Sequence, residues 1–235
     1  MLTMAQAHAG IVIGGTRVIY PASESEVTLK LSNEGDEPAL VQTWTDKGDP
    51  ALRPAEQGAP FLVTPPMARV EPKKAQTLRI VYTGEPLPRE RESVFWLNVL
   101  EVPPKPDADI ADMNKLQLAF RSRIKLFYRP TELKGRPIEA PAAVTWGLDS
   151  QQGELHLEAH NPTEYYVTFT AIDVHNATAQ ASFDEGVMIA PGETRRLPLK
   201  GTLTAADASV KVRYEAINDY GGVMPGETTL QQGKR

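Results

Sequence analysis

Glycine and proline occur along the whole sequence, and they constrain its fold more than any other feature. The 235 residues include 20 prolines and 17 glycines, so few stretches of about 12 residues, the mean length of a helix, lack one of them. Both residues disfavour helix interiors, proline because it has no N–H and clashes with the preceding turn. Long helices are therefore hard to place, and the sequence favours an all-β fold.

Short apolar segments separated by polar turns also indicate strands. Residues 26–32 alternate between apolar and polar side chains, and residues 33–38 then have the composition of a turn. The predicted strands are 11–20, 26–32, 39–45, 61–64, 75–83, 93–102 and 116–128, followed by 143–148, 154–160, 165–174, 186–189, 194–198 and 209–217. This spacing is typical of sandwiches with Greek-key connections.

The chain is long enough for two domains of about 100 residues each. Residues 131–141 are rich in proline, glycine and charge and have no periodicity, which is typical of a connection between domains. We therefore predict a first β-sandwich domain over residues 10–130, a linker over 131–141 and a second β-sandwich domain over 142–226. Residues 227–235 are predicted to be a polar tail.

The N-terminal residues 1–9 end in Ala7-His8-Ala9, a small-x-small pattern of the kind that signal peptidase cleaves. We therefore predict that these residues are the remnant of a signal peptide and that the mature chain starts near Gly10. The charged and fully apolar parts of a signal peptide are missing, so a disordered N-terminal extension is the alternative.

Composition and motifs exclude several functions. The net charge of −5 gives no basic surface for nucleic acid, the absence of cysteine removes disulfides and thiolate zinc sites, and no run of 18 apolar residues predicts membrane insertion. Residues 14–17 lack the spacing and lysine of a phosphate-binding loop. His156 and His160 lie on a predicted strand, where about 13 Å would separate them, so they cannot share a metal ion. No catalytic residue, cofactor or metal is expected.

Residues 116–128 form the most unusual segment, an alternating run of thirteen residues. Such a run would extend about 40 Å, beyond the usual strand length, so we expect it to project past its own domain. The alternative is that its apolar side simply faces the sandwich core. That side carries Leu116, Leu118, Phe120, Ile124, Leu126 and Tyr128, and the other side carries Gln117, Arg121, Arg123 and Lys125.

The preceding strand, 93–102, is apolar on both faces. Val94, Trp96, Leu100 and Val102 share one face, while Phe95, Leu97 and Val99 share the other. A single sandwich buries only one face of a strand. The second domain or a partner is therefore expected to cover the other face.

Six motifs occur in the order in which they occur in a known family. They are TRVIYP (16–21), TPPMARVEP (64–72), RESVFWLN (91–98), VPP (102–104), IKLFYRP (124–130) and NDYGG (218–222). Together they resemble the signature sequences of the PapD-like periplasmic chaperones of the chaperone-usher pathway. The resemblance extends from about residue 11 to residue 222 and is denser in the first domain.

This resemblance implies both a fold and a function. The fold is two immunoglobulin-like β-sandwich domains set at an angle, with a cleft between them. The function is that of a non-enzymatic periplasmic chaperone, which stabilises pilus subunits by donor-strand complementation and delivers them to an outer-membrane usher in fimbrium biogenesis.

The resemblance also assigns roles to individual residues. Arg17 and Lys125 match two cations that grip the C-terminal carboxylate of a pilus subunit, and such charge-assisted bonds are about twice as strong as neutral ones. Leu116, Leu118 and Phe120 match donor-strand residues that fill the groove left by the subunit's missing strand. Chaperone-pilin strand donation is a standard example of strand addition, in which a strand from one protein pairs with the sheet edge of another.

Three further residues, Glu92, Arg129 and Asp219, match a buried ionic link between the two family domains, which would fix their orientation. The chain departs from some members because it lacks a disulfide in the second domain. The short connection between residues 102 and 114 resembles the branch of the family that serves rod-like pili. The sequence leaves open whether the free chaperone self-associates through its exposed strand.

Two other functions compete with this interpretation. A secreted two-domain β-sandwich adhesin or carbohydrate-binding module would need an exposed aromatic platform and would have no use for Arg17 and Lys125 in one cleft. A hydrolase of β architecture would need converging acid, base or nucleophilic groups, and the sequence offers no such set.

Overall fold

The computed structural model describes residues 10–51, 58–102, 118–151, 154–203 and 210–230. The chain divides into two compact units, one made of residues 1–87 and 93–129 and the other of residues 88–92 and 130–235. Each unit has its own hydrophobic core. Almost all of the regular structure is β-strand, which confirms the all-β prediction.

The described strands of the first unit form two sheets. One contains β1 (Ile11–Ile13), β3 (Val27–Asn33), β7 (Ala75–Tyr82) and β5 (Phe61–Thr64), in that order. The other contains β2 (Arg17–Pro21), β9 (Phe120–Arg129), β8 (Ser93–Val102), β4 (Ala39–Asp46) and β6 (Met67–Val70). All neighbouring strands are antiparallel except β2 and β9, which are parallel.

The first predicted strand, 11–20, is divided into β1 and β2, which belong to different sheets. The chain crosses between the sheets at Gly14, whose N–H donates to the carbonyl of Lys30 at 2.8 Å. A Cβ atom on Gly14 would lie only 2.9 Å from that carbonyl oxygen, so glycine permits this close approach. The crossing brings β2 beside β9.

Alternating side chains of both sheets form the core of the first unit. Tyr20 is almost completely buried at its centre. Its ring meets Phe61 edge to face at a centroid distance of 5.4 Å, and its hydroxyl donates to the carbonyl of Ser25 at 2.9 Å. The polar end of this aromatic side chain is therefore satisfied while its ring packs in the core. The other core residues include Leu29, Leu31, Val41, Val63, Leu78, Ile80, Phe95, Leu97, Val99 and Leu126.

The second unit is also built from two sheets in its described residues. One contains β10 (Thr145–Gln151), β11 (Glu154–His160) and β15 (Thr194–Pro198). The other contains β16 (Lys200–Gly201), β13 (Gln180–Phe183), β12 (Val167–His175), β17 (Lys211–Ile217) and β18 (Val223–Thr229), and β14 (Val187–Ile189) pairs with β12. Its core includes Trp146, Leu157, Phe169, Ile172 and Tyr214.

The ends of the second domain differ from the sequence prediction. Strand β18 continues to Thr229, so residues 227–229 belong to the sheet and not to a polar tail. These residues pair with β17, and Glu227 also forms ion pairs with Lys211 at 2.7 Å and Arg213 at 3.2 Å. At the other end, the segment predicted as a linker includes the 3₁₀ helix Pro137–Glu139 and enters α1 (Ala140–Ala143), and Ala140 is buried in the second core.

Residues 88–92 group with the second unit although they connect β7 to β8 of the first. The N–H of Glu92 donates to the carbonyl of Glu164 at 2.9 Å. The carboxylate of Glu92 in turn accepts a bond from the N–H of Tyr166 at 2.8 Å. No local sequence pattern indicated that residues 88–92 would group with the second unit. Within the described residues, no helix is long and apolar enough to cross a membrane.

Candidate functional site

Strands β2 and β9 bring two cations together on one face of a sheet. Their parallel register places Arg17 directly opposite Lys125. Both residues are partly buried, and both lie on the face of the sheet opposite to the core residue Leu126. The Arg17 guanidinium carbon lies 5.7 Å from the centroid of the Phe127 ring, and the Lys125 ammonium nitrogen lies 5.9 Å from that of Trp96.

The surroundings of Lys125 disfavour its own charge. Burial, and then the positive charge of Arg17, lower the pKa of the Lys125 ammonium. Two cations that are held side by side and partly removed from water interact more favourably with an anion than exposed cations do. The arrangement is therefore suited to binding a carboxylate.

The apolar side of β9 runs from the core into solvent. Leu126 is fully buried and Ile124 is half-buried, whereas Ser122 is exposed. Phe120, the first residue of β9, is 62% exposed, and Leu118, two residues before the strand begins, is 52% exposed. Leu116, the third predicted donor-strand residue, lies outside the described residues. The described residues of the first unit therefore leave more than half of each of these two large apolar side chains exposed.

The same half of β9 has an open edge. β8 pairs with β9 from Phe120 to Tyr128, but β2 pairs with it only from Lys125 to Arg129. Within the described residues, positions 120–124 therefore have a strand neighbour on one side only. An open edge next to uncovered apolar side chains can accept an additional strand.

Two arginines of the first unit partly cover the face that Trp96 of β8 shares with Trp44 of the neighbouring strand β4. The guanidinium carbon of Arg123 lies 4.7 Å from the Trp96 ring centroid, and that of Arg121 lies 4.9 Å from the Trp44 ring centroid. The apolar stems of long cationic side chains can shield aromatic surface in this way. This part of the face therefore does not require a second domain or a partner to cover it.

A buried polar network beneath these arginines was not predicted from the sequence. Asp46, at the end of β4, is completely buried. Its carboxylate accepts bonds from Asn98 Nδ2 at 2.7 Å, from the N–H of Gly48 at 2.6 Å and from Arg123 Nη2 at 2.7 Å. The available signal was weak, because a polar Asn98 in the apolar middle of β8 is only a hint of a buried partner.

The residues of the predicted ionic link have different environments. Glu92 is buried, and Arg129 and Asp219 are partly exposed. The carbonyl of Arg129 accepts a bond from the N–H of Ala22 at 2.8 Å within the first unit. An ionic link among the three side chains stays a prediction.

The two histidines of β11 follow the alternation of that strand. His156 Nδ1 lies 3.2 Å from the carbonyl oxygen of Glu154, and His160 Nδ1 lies 2.9 Å from Thr194 Oγ1. Among the residues that the structure describes, no group of three or more His, Cys, Asp or Glu side chains could hold a metal ion.

Two β-sandwich units, with a cation pair and a partly exposed strand in the first, define a two-domain immunoglobulin-like protein. Comparison with family profiles is more specific. The profile described as "Pili and flagellar-assembly chaperone, PapD N-terminal domain" matches residues 10–134. The profile described as "Pili assembly chaperone PapD, C-terminal domain" matches residues 139–228. The chain belongs to the PapD-like family of pilus-assembly chaperones, which confirms the resemblance and the prediction of two immunoglobulin-like β-sandwich domains.

Individual relatives agree with this assignment. The chain is 47% identical over 224 residues to "Probable fimbrial chaperone YadV" of Escherichia coli strain K12, covering 94% of this chain and 90% of the relative. It is 47% identical over 228 residues to "Chaperone protein FimB/FhaD" of Bordetella pertussis, covering 95% and 89%.

Solved structures of the family are also similar. The crystal structure of the YadV chaperone superimposes with a TM-score of 0.80 at 43% identity, covering 94% of this chain and 100% of that one. The SafB chaperone, solved in complex with the Salmonella enterica SafA pilin, gives a TM-score of 0.77 at 28% identity, covering 96% and 99%.

Proposed function

We propose that this chain is a periplasmic chaperone that binds and stabilises pilus subunits by donor-strand complementation and delivers them to an outer-membrane usher. It acts by binding alone, without catalysing a reaction. Family membership supports the proposal, as does the SafA pilin complex of a similar chaperone. The observation that carries it is that Lys125, which lies opposite Arg17 of β2, is on the same strand as the exposed Phe120.

Arg17 and Lys125 are proposed to anchor the C-terminal carboxylate of the subunit. A carboxylate between the two cations would reduce their mutual repulsion and compensate for the partial burial of Lys125. It would also fix the subunit's end at one position along β9. Because strand side chains alternate with a period of two, a fixed end determines which subunit residues meet which residues of β9.

The exposed half of β9 is proposed to act as the donor strand. Its open edge at residues 120–124 would form backbone hydrogen bonds with the subunit, while Phe120, Leu118 and Leu116 would enter the subunit's apolar groove. Burying a side chain of this size contributes about 1.5 to 3 kcal/mol. The two described side chains alone would therefore make a large contribution to binding.

The proposal is tested by producing the chain in the periplasm together with a pilus subunit from the same bacterium. A complex of one chaperone with one subunit is expected to co-purify, and the subunit produced without the chaperone is expected to aggregate or be degraded. The proposal fails if the subunit is equally soluble alone, or if it never associates with the chain.

We predict that carboxylate binding weakens as pH rises through a range below the ordinary pKa of lysine, about 10.4. Burial, and secondarily Arg17, lower the pKa of Lys125 in the free chain. A bound carboxylate favours the ammonium form, so above that lowered pKa binding must take up a proton. Affinity is therefore complete below the pKa of free Lys125 and is lost as pH increases beyond it.

Titration calorimetry with a synthetic peptide of the subunit's C-terminal sequence measures this dependence. The Lys125→Arg variant should give a flatter profile, because a guanidinium stays charged throughout this range. An amidated peptide, which has no terminal carboxylate, should bind weakly at every pH. Identical pH profiles for the original chain and Lys125→Arg would contradict the role of Lys125.

We further propose that Glu92, Arg129 and Asp219 form the interdomain ionic link, and we predict that Asp219→Ala lowers the free energy of unfolding by about 1 to 3 kcal/mol. This range lies between the values for exposed and buried pairs, because Asp219 is partly exposed. Calorimetric unfolding measures the loss. Asp149→Ala is the control, since its ion pair with Arg196 at 2.6 Å is exposed. Equally small losses in both variants would count against the link.

A further inference from the structure

Asp46, at the end of β4, bonds to side chains of both β8 and β9 beside the exposed half of β9, residues 120–124. Its buried carboxylate is bonded by Asn98 of β8 and by Arg123 of β9, which contacts both of its oxygens, at 2.7 and 3.0 Å. A buried carboxylate is costly unless it is paired and hydrogen-bonded. The arrangement of these three side chains is therefore tightly constrained.

Arg121, two residues before Arg123 and on the same side of β9, extends this network. Its Nε donates to Asn98 Oδ1 at 2.9 Å, and its Nη1 donates to the carbonyl of Pro50 at 2.8 Å. Asn98 of β8 also bonds to Asp46, and Arg121 Nη2 lies 3.8 Å from Asp46 Oδ2. Both arginines are therefore linked to Asp46, Arg123 directly and Arg121 mainly through Asn98. Both also stack on tryptophan rings of β4 and β8.

The network lies on the side of β9 opposite to the proposed donor residues. Arg121 and Arg123 alternate with Phe120 and Ser122, which are exposed. It also coincides with the half of β9 that lacks β2 as a neighbour. A strand paired on one side only loses order more easily than one paired on both. The network therefore fastens the donor half of the strand through the side that the subunit does not need.

We propose that Asp46 is a positioning residue that holds residues 120–124 of β9 in an extended conformation before a subunit arrives. Because an ordered strand need not lose conformational freedom on binding, this preorganisation increases affinity for the subunit. The inference rests on the proposed function, since it assigns Asp46 to the donor strand of that function. Asp46 contacts neither the anchor cations nor the donor side chains in the described hydrogen bonds and ion pairs.

The test uses Asp46→Asn in the full chain, which keeps the shape of the side chain and removes its charge. Hydrogen exchange of the free variant should be faster for the amides of residues 120–124, by about tenfold, but unchanged for residues 125–129 and for the second unit. Affinity for the whole pilus subunit should fall by about tenfold or more. Affinity for the short C-terminal peptide, which needs only Arg17 and Lys125, should stay within about twofold.

Arg121→Ala is a second variant for the case in which Asp46→Asn does not fold. It removes the bonds to Asn98 and Pro50 and the 3.8 Å ion pair with Asp46, but it leaves the shorter bonds of Arg123 to Asp46. The same pattern is therefore expected with an effect of about threefold. Asp149→Asn in the second unit is the control, and it should change none of the three measurements.

Three outcomes would overturn the positioning role. One is unchanged exchange at residues 120–124 in both variants, the second is a loss of subunit affinity equal to the loss of peptide affinity, and the third is faster exchange throughout the first unit. If the original chain binds no subunit, the proposed function fails. The exchange of the free variants still decides whether Asp46 orders the strand.

Discussion

Replacing either Arg17 or Lys125 with alanine is expected to abolish subunit capture and to leave the free chain folded. Both side chains lie on the face of the sheet opposite to Leu126, so neither forms part of the core of the first unit. For Lys125, burial and Arg17 already disfavour the charged form, so its removal also relieves an unfavourable charge. The fold should therefore tolerate both changes.

Either change should strongly weaken binding of the subunit's C-terminal carboxylate. Removing one of the two cations that pair with a carboxylate in a partly desolvated site weakens binding by about 2 to 5 kcal/mol. This corresponds to a loss of about 30-fold to 5000-fold in affinity. The double variant should lose less than the sum of the two single losses, because both cations would bind the same group. Calorimetry with the subunit's C-terminal peptide measures these losses.

Matched controls separate the anchor from a general effect of charge. Arg213→Ala removes an exposed cation from the second unit, where Arg213 pairs with Glu227 at 3.2 Å, and it should not change peptide affinity. Lys125→Arg should keep part of the affinity at neutral pH. Wild-type peptide affinity in both alanine variants would exclude these residues as the anchor.

Alternation and turn chemistry were sufficient to predict the main strands. Strands β5, β8, β11 and β15 begin and end at the predicted residues, because each is bounded by clear turn signals. The missed strands are short or carry residues that weaken the pattern. β16 has two residues, and β18 contains Pro225 and Gly226, which are uncommon within strands.

Local sequence patterns predicted less of the candidate site than of the strands. The pairing of Arg17 with Lys125 depends on the crossing of the chain between sheets at Gly14 and on a parallel register over a long sequence separation. Only the family resemblance indicated it. The Asp46 network had no such guide, because its members come from β4, β8 and β9, and Asp46 is followed by residues with turn composition. Nothing in this local pattern indicates that Asp46 is completely buried.

Leu118→Glu is expected to be nearly silent in the free chain and to prevent subunit binding. Leu118 is 52% exposed, so in the free chain the new carboxylate stays in water and costs little. In the proposed complex the same carboxylate would enter an apolar groove without a cation beside it. Burying an unpaired charge costs several kcal/mol, which strand hydrogen bonds could not easily offset.

The alternative, in which the apolar side of this strand simply faces its own core, makes the opposite forecast of a cooperative loss of stability in the free protein. Thermal unfolding of free Leu118→Glu, measured beside its binding to the subunit, distinguishes the two. Leu62→Glu is the matched control, because Leu62 is 59% exposed on β5 of the same unit, and it should affect neither stability nor binding. Leu29→Glu should unfold the first unit, since Leu29 is a core residue. If Leu118→Glu unfolds as Leu29→Glu does, or binds the subunit as Leu62→Glu does, the donor-strand assignment is wrong.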